Sequence, residues 1–240
     1  MNEFIPAKEL KKTFQVYGSF YDINTSTNDI VKCRNKLEIF NKNMFTDLEN
    51  DFSIYTHKPD ALAIMMNPGS SKPSSKLNNY SEPLYEITNL VDNIYNNEMV
   101  IAKPDTTQYQ IMRVMSNQNW SHVRVLNLSD IREPKCNLFL KKVRDFETHY
   151  GPMHSIFSEE RIKERKEAFS IKENNPILLV WGCNKSLCNL ADRAVEKIGS
   201  KKVIGIPYNI TNLYRHPLPS LHKSKIEWLE KITETMNKKQ

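Results

Sequence analysis

Four short apolar runs constrain this chain more than any other feature: Ala61–Met66 (ALAIMM), Val123–Leu128 (VRVLNL), Ile177–Trp181 (ILLVW) and Val203–Ile206 (VIGI). Each is too short for a helix and rich in β-branched and aliphatic residues, as buried strands are. Long segments with helical spacing separate them, which is the pattern of crossovers joining parallel strands. One helix is expected to begin at Ser81, with Pro83 in its first turn and Leu84, Ile87, Leu90, Val91 and Ile94 on one face. Asp105 and Gln108 form a capping box for a second over Tyr109–Met115. Others are expected over 137–150, 159–169, 185–198 and 224–236. These spacings predict an α/β protein of three layers, α/β/α, around a central, mainly four-stranded parallel sheet.

Residues 1–58 are less regular, with a strand expected over Val31–Phe40 and a short helix over Phe45–Phe52. There is no repeat, low-complexity segment or linker, so the 240 residues are read as one domain: a core over about 60–236 and a 1–58 extension of it. A chain of this length can bury a core without staples. It has no run of 18 apolar residues and no basic-then-apolar leader, so the expectation is a monomeric, cytoplasmic protein with no membrane partner.

Lys and Arg outnumber Asp and Glu by 34 to 28, a formal net charge of +6 that suits a polyanionic partner such as DNA. Cys33, Cys136, Cys183 and Cys188 contain no C-x-x-C pair and read as reduced thiols. The histidines share no ligand spacing, and neither a P-loop nor a dinucleotide-binding glycine motif occurs among only 6 glycines. Neither a metal nor a cofactor is expected.

In open parallel sheets, ligands bind beyond the C-terminal ends of the strands. Three of the four runs lead into polar motifs there. The first ends in Asn67-Pro68-Gly69-Ser70-Ser71 and continues as a loop to Asn79; the second carries Asn127; Arg215-His216-Pro217-Leu218-Pro219-Ser220-Leu221 follows the fourth. Taken singly, these are an ordinary turn, a capping amide and a loop.

Their order and context resemble the uracil-DNA glycosylase superfamily: an apolar strand ending in N-P-G, an Asn in a mid-chain strand, a strand ending in Trp181-Gly182, and a late H-P-x-P. The likeness spans about residues 60–225. It implies a uracil-DNA glycosylase-like fold in which Asn67, beside Pro68, positions the attacking water and His216 polarises the base carbonyl. Asn127 would read the pyrimidine edge. Gly69 stands where the strict uracil-removing branch has an aromatic wall and the mismatch-specific branch has Gly, so 5-substituted pyrimidines would fit. Leu218 and Leu221 are candidates for a wedge, although the H-P-x-P-S-L order shifts the apolar residue by one from the family's. Ser70, Ser71, Lys72, Arg215, Ser220 and Lys223 are candidates for backbone contacts.

The expected function is thus a monofunctional DNA glycosylase that flips out and excises a modified or mismatched pyrimidine from double- or single-stranded DNA. A bacterial or phage-related defence enzyme acting on glucosylated hydroxymethylcytosine in phage DNA is one form of it. A non-catalytic nucleic-acid-binding module on the same fold, or a nucleoside or nucleotide N-glycosidase, are the alternatives.

Overall fold

The computed structural model describes residues 4–25, 29–45, 57–209 and 211–238. All four apolar runs contain strands: β3 (Ala61–Met65), β7 (His122–Asn127), β8 (Ile177–Leu179) and β9 (Val203–Ile204). They lie side by side in the order β7-β3-β8-β9, every pair parallel. Successive side chains on a strand point to opposite faces, so Leu62 and Ile64 enter one core while Ala61, Ala63 and Met65 enter the other.

The four parallel strands are only half of the sheet. β1 (Phe14–Asn24) and β2 (Ile30–Asn41) form a long antiparallel pair, and β2 joins antiparallel onto β7. β6 (Val100–Lys103), the two-residue β4 (Lys72–Pro73) and β5 (Leu84–Glu86) complete a mixed sheet of nine strands among the described residues. Its order is β4-β6-β1-β2-β7-β3-β8-β9, with β5 also on β1. The expected strand Val31–Phe40 is therefore β2, and β1–β2 sit inside the sheet. Apart from Phe45, which is extended, the helix expected over Phe45–Phe52 lies outside the described residues.

Polar residues disguise β2 in the sequence, and one of them, Glu38, is paired across the sheet. Glu38 receives His122 at 2.7 Å and Arg124 at 2.6 Å across the β2–β7 rib, all three buried. Burial alone would raise the Glu38 carboxyl; Arg124 and His122 outweigh it and hold it down at about 2.

Helices cover both faces. α1 (Ala7–Thr13), α3 (Thr106–Gln118) and α7 (His222–Asn237) pack on one, through residues such as Leu10, Met112 and Trp228. α2 (Leu90–Tyr95), α4 (Cys136–Tyr150), α5 (Ile162–Ala168) and α6 (Cys188–Ile198) pack on the other, through Ile94, Phe139, Ala168 and Ala191 among others. The α3 capping box forms as expected: the Gln108 N–H donates to Asp105 Oδ1 at 2.9 Å and the Asp105 N–H to Gln108 Oε1 at 3.3 Å. The helix expected from Ser81 does not begin there. Residues 84–86 pair with Asp22–Asn24 instead, the Asp22 N–H donates to the Pro83 carbonyl, and α2 starts only at Leu90. An edge of β1 with backbone groups to satisfy outcompetes one helical turn, although Leu84 stays exposed on the strand.

Candidate active site

Parallel pairing continues one step past β3 and β7, with the Leu128 N–H donating to the Met65 carbonyl (2.8 Å) and Ser129 to Met66 (3.3 Å). The chain then turns, closed by the Ser71 N–H on the Pro68 carbonyl at 3.1 Å. Gly69 has φ +59°, the left-handed region that glycine enters without cost. A Cβ there would meet nothing within 4 Å, so backbone conformation rather than crowding calls for glycine. Past the turn, β4 pairs with β6, so the expected loop 69–79 includes a short edge strand.

Asn67, Gly69, His216, Leu218 and Arg34 line a cleft of about 260 Å³ together with the first turn of α3. Asn67 is held from behind: its Nδ2 donates to the Glu133 carbonyl at 2.6 Å and the Ile131 carbonyl at 3.4 Å. With the amide nitrogen committed, Oδ1 remains as the acceptor that can hold a water.

His216 is fixed from several sides. The Gly182 N–H donates to the Tyr214 carbonyl (2.8 Å), Trp181 Nε1 to Asn212 (3.0 Å), and the Arg215 N–H to Ile206 (2.8 Å). From the other face, Trp228 Nε1 reaches the Arg215 carbonyl at 3.3 Å and Gln110 Nε2 the Pro217 carbonyl at 2.8 Å. The Leu218 N–H donates to His216 Nδ1 at 3.1 Å. That bond makes Nδ1 an acceptor and puts the proton of the neutral ring on Nε2, leaving an N–H donor to spare. Burial lowers the His216 pKa, with Asp105 acting the other way, and favours this neutral form.

Asn127 does not line the cleft. It is fully buried, and the hydrogen-bond network orients its amide so that Nδ2 donates to the Asn67 carbonyl (3.2 Å) and Oδ1 accepts from Arg34 Nη2 (3.1 Å). It braces the two groups that do face the cleft, and its polar ends are spent on them rather than on a base edge.

Arg34 escaped the sequence reading because a bulge lies beside it. Ser19 pairs with Lys36 and Phe20 with Arg34, so Asn35 is extra and the strand changes face. Cys33 consequently enters one core while Leu37 and Ile39 enter the other. Arg34 stands between Lys32 and Lys36 in that stretch, so charge alone did not single it out.

The candidate DNA contacts are dispersed. Pro68, a candidate for base contact, is a buried residue that lines the cleft, and Ser70 is exposed at its rim, whereas the buried Ser71 hydroxyl points away from solvent. Lys72 is exposed on β4. Arg215 lines a neighbouring cavity of about 440 Å³ with Trp228 and Lys231, on the other side of His216. Ser220 and Lys223 are exposed near the start of α7, and Leu221, which precedes that helix, is 70% exposed. Among the described residues, no group of three His, Cys, Asp or Glu side chains could hold a metal ion, and no helix is long and apolar enough to cross a membrane. No family model, curated protein or solved structure matches the chain.

Proposed function

We propose that this protein is a monofunctional DNA glycosylase with a uracil-DNA glycosylase-like fold, one that takes a flipped, modified or mismatched pyrimidine into the cleft. It hydrolyses the N-glycosidic bond and leaves an abasic site. The observation that carries this reading is the meeting of Asn67 and His216, far apart in sequence, across one cleft at the C-terminal edge of the parallel strands. One presents a free amide oxygen and the other a free ring N–H, because every other polar atom of the two side chains is tied to backbone.

Breaking the bond leaves an oxocarbenium-like sugar and a base that departs with the electron pair. The reaction therefore needs a water held near the sugar and a donor aimed at the base oxygen. Asn67 Oδ1 is suited to the first role, and His216 Nε2–H to the second. The open space in front of Gly69 accommodates a substituent at pyrimidine C5, consistent with a modified cytosine of phage DNA as substrate. Leu221, exposed beside the His216 loop, is suited to fill the stack that a flipped base vacates. The reading describes a monomer acting on DNA in the cytoplasm, without metal or cofactor.

Oligonucleotides bearing uracil, mismatched thymine, hydroxymethylcytosine or its glucosylated form, incubated with the protein and then with alkali, test it. The expected result is scission on at least one, reduced about 10²-fold or more in Asn67→Ala and His216→Ala while DNA binding persists. Binding to DNA without scission on any substrate would favour a non-catalytic module.

A further inference from the structure

Arg34 is a buried cation without an anionic partner. Its side chain lines the cleft, yet the residue is only 1% exposed. Nη2 is engaged by Asn127, while Nε and Nη1 have no hydrogen-bond partner. Burial, with Arg132 nearby, draws its pKa down to about 10, while Asp105 and Asp130 act in the other direction without forming an ion pair with it. Asp105 lines the same cleft, but its Oδ1 already accepts from the Gln108 N–H as the cap of α3. A buried charge is costly in a protein interior and normally has a carboxylate bonded to it, which Arg34 lacks. The first turn of α3, whose N-terminus carries the positive end of the helix dipole, faces the same space.

We propose that Arg34 is the group that receives an anionic oxygen of the ligand: within the glycosylase reading, on which this rests, it stabilises the departing pyrimidine anion. The C1′–N bond breaks with its electron pair going to the base nitrogen, and the charge spreads to the carbonyl oxygen beside it. Arg34 lowers the energy of that anion, and His216 Nε2–H shares the load. Water adds its oxygen to C1′ and releases a proton to solvent, and the freed base takes one up from solvent. The cation is held in place beforehand and gains a directly bonded anionic partner as negative charge develops, which is how preorganised electrostatic catalysis works. Arg34 touches the reacting base in this account, whereas Asn127 is a positioning residue that acts through it.

The full chain, Arg34→Gln and Arg34→Lys are compared in two measurements. Where the wild type excises a base, single-turnover rates are taken on pyrimidines of graded leaving-group acidity. Arg34→Gln is expected to lose about 10²-fold on the poorest leaving group and much less on the best, with Arg34→Lys between them. An equal loss on every substrate, or none, overturns the proposal. Where the wild type excises nothing, thermal unfolding is followed with inorganic phosphate against chloride at matched ionic strength. Stabilisation of the wild type that is absent in Arg34→Gln keeps the anion site and discards the glycosylase reading. Equal stabilisation of both proteins, or of neither, discards the anion site. The unliganded midpoint of Arg34→Gln guards against misfolding, and it is expected at or above the wild-type value, since the variant removes an unpaired buried charge.

Discussion

At the scale of single residues, the cleft depends on which polar atoms are already spent. Asn67 and His216 were legible from sequence because an N-P-G turn and an H-P pair have recognisable forms at strand ends. Arg34 was not, because the bulge at Asn35 changes the phase of β2 and no periodicity announces it. Asn127 was legible as an interesting amide but not as a brace, since its partners come from just past β3 and from the interior of β2. The His216 geometry carries its own pH dependence. Protonation of Nδ1 would set two donors against each other at the Leu218 N–H, so the neutral ring is the competent form. Its folded pKa lies below the ordinary 6.5, so between the two values the folded protein binds fewer protons than the unfolded one. Stability and excision should therefore both fall as the pH drops below 6.5 through the folded value. An NMR titration of the His216 ring is expected to give a pKa below 6.5; a value at or above it would contradict the buried, acceptor Nδ1.

At the scale of elements, the four apolar runs became the four parallel strands, and most of the expected helices formed within a few residues. The antiparallel half of the sheet was less visible, since β1 and β2 carry polar side chains at buried positions, among them Ser19, Arg34, Asn35 and Glu38. The segment that presents His216 packs tightly on the ends of the parallel strands. A Cβ built on Gly205 would lie 2.5 Å from the Tyr214 ring and 2.8 Å from the Leu179 carbonyl. Gly205→Ala should therefore destabilise by about 1–3 kcal/mol, as overpacking does, and lower excision by shifting residues 214–216. Denaturant unfolding checks the first part; an unchanged midpoint would show that the segment gives way freely.

At the scale of the whole molecule, the two halves of the sheet meet at β2–β7, where Glu38 lies between His122 and Arg124. The folded carboxyl sits at about 2, below its ordinary 4.5, so its contribution is complete above pH 4.5 and is lost as the pH falls towards 2. Glu38→Gln leaves Arg124 buried without its counter-charge and should cost about 3–5 kcal/mol, with a shallower acid transition over that window. Urea unfolding at pH 7 and pH 3 reads both effects, and parallel curves for the two proteins would contradict them. The same junction carries Arg34 and the β7 end to the cleft, so the hairpin that looked like an extension in sequence supplies part of the candidate site. The central claim is that this site severs the bond between base and sugar. Mass spectrometry of the small molecules released from DNA carrying glucosylated hydroxymethylcytosine, uracil or mismatched thymine tests it most directly. The account predicts a free base, an abasic strand of otherwise unbroken length, and neither product from Asn67→Ala. Release of nucleosides or nucleotides, or of nothing from DNA that the protein binds, would contradict it.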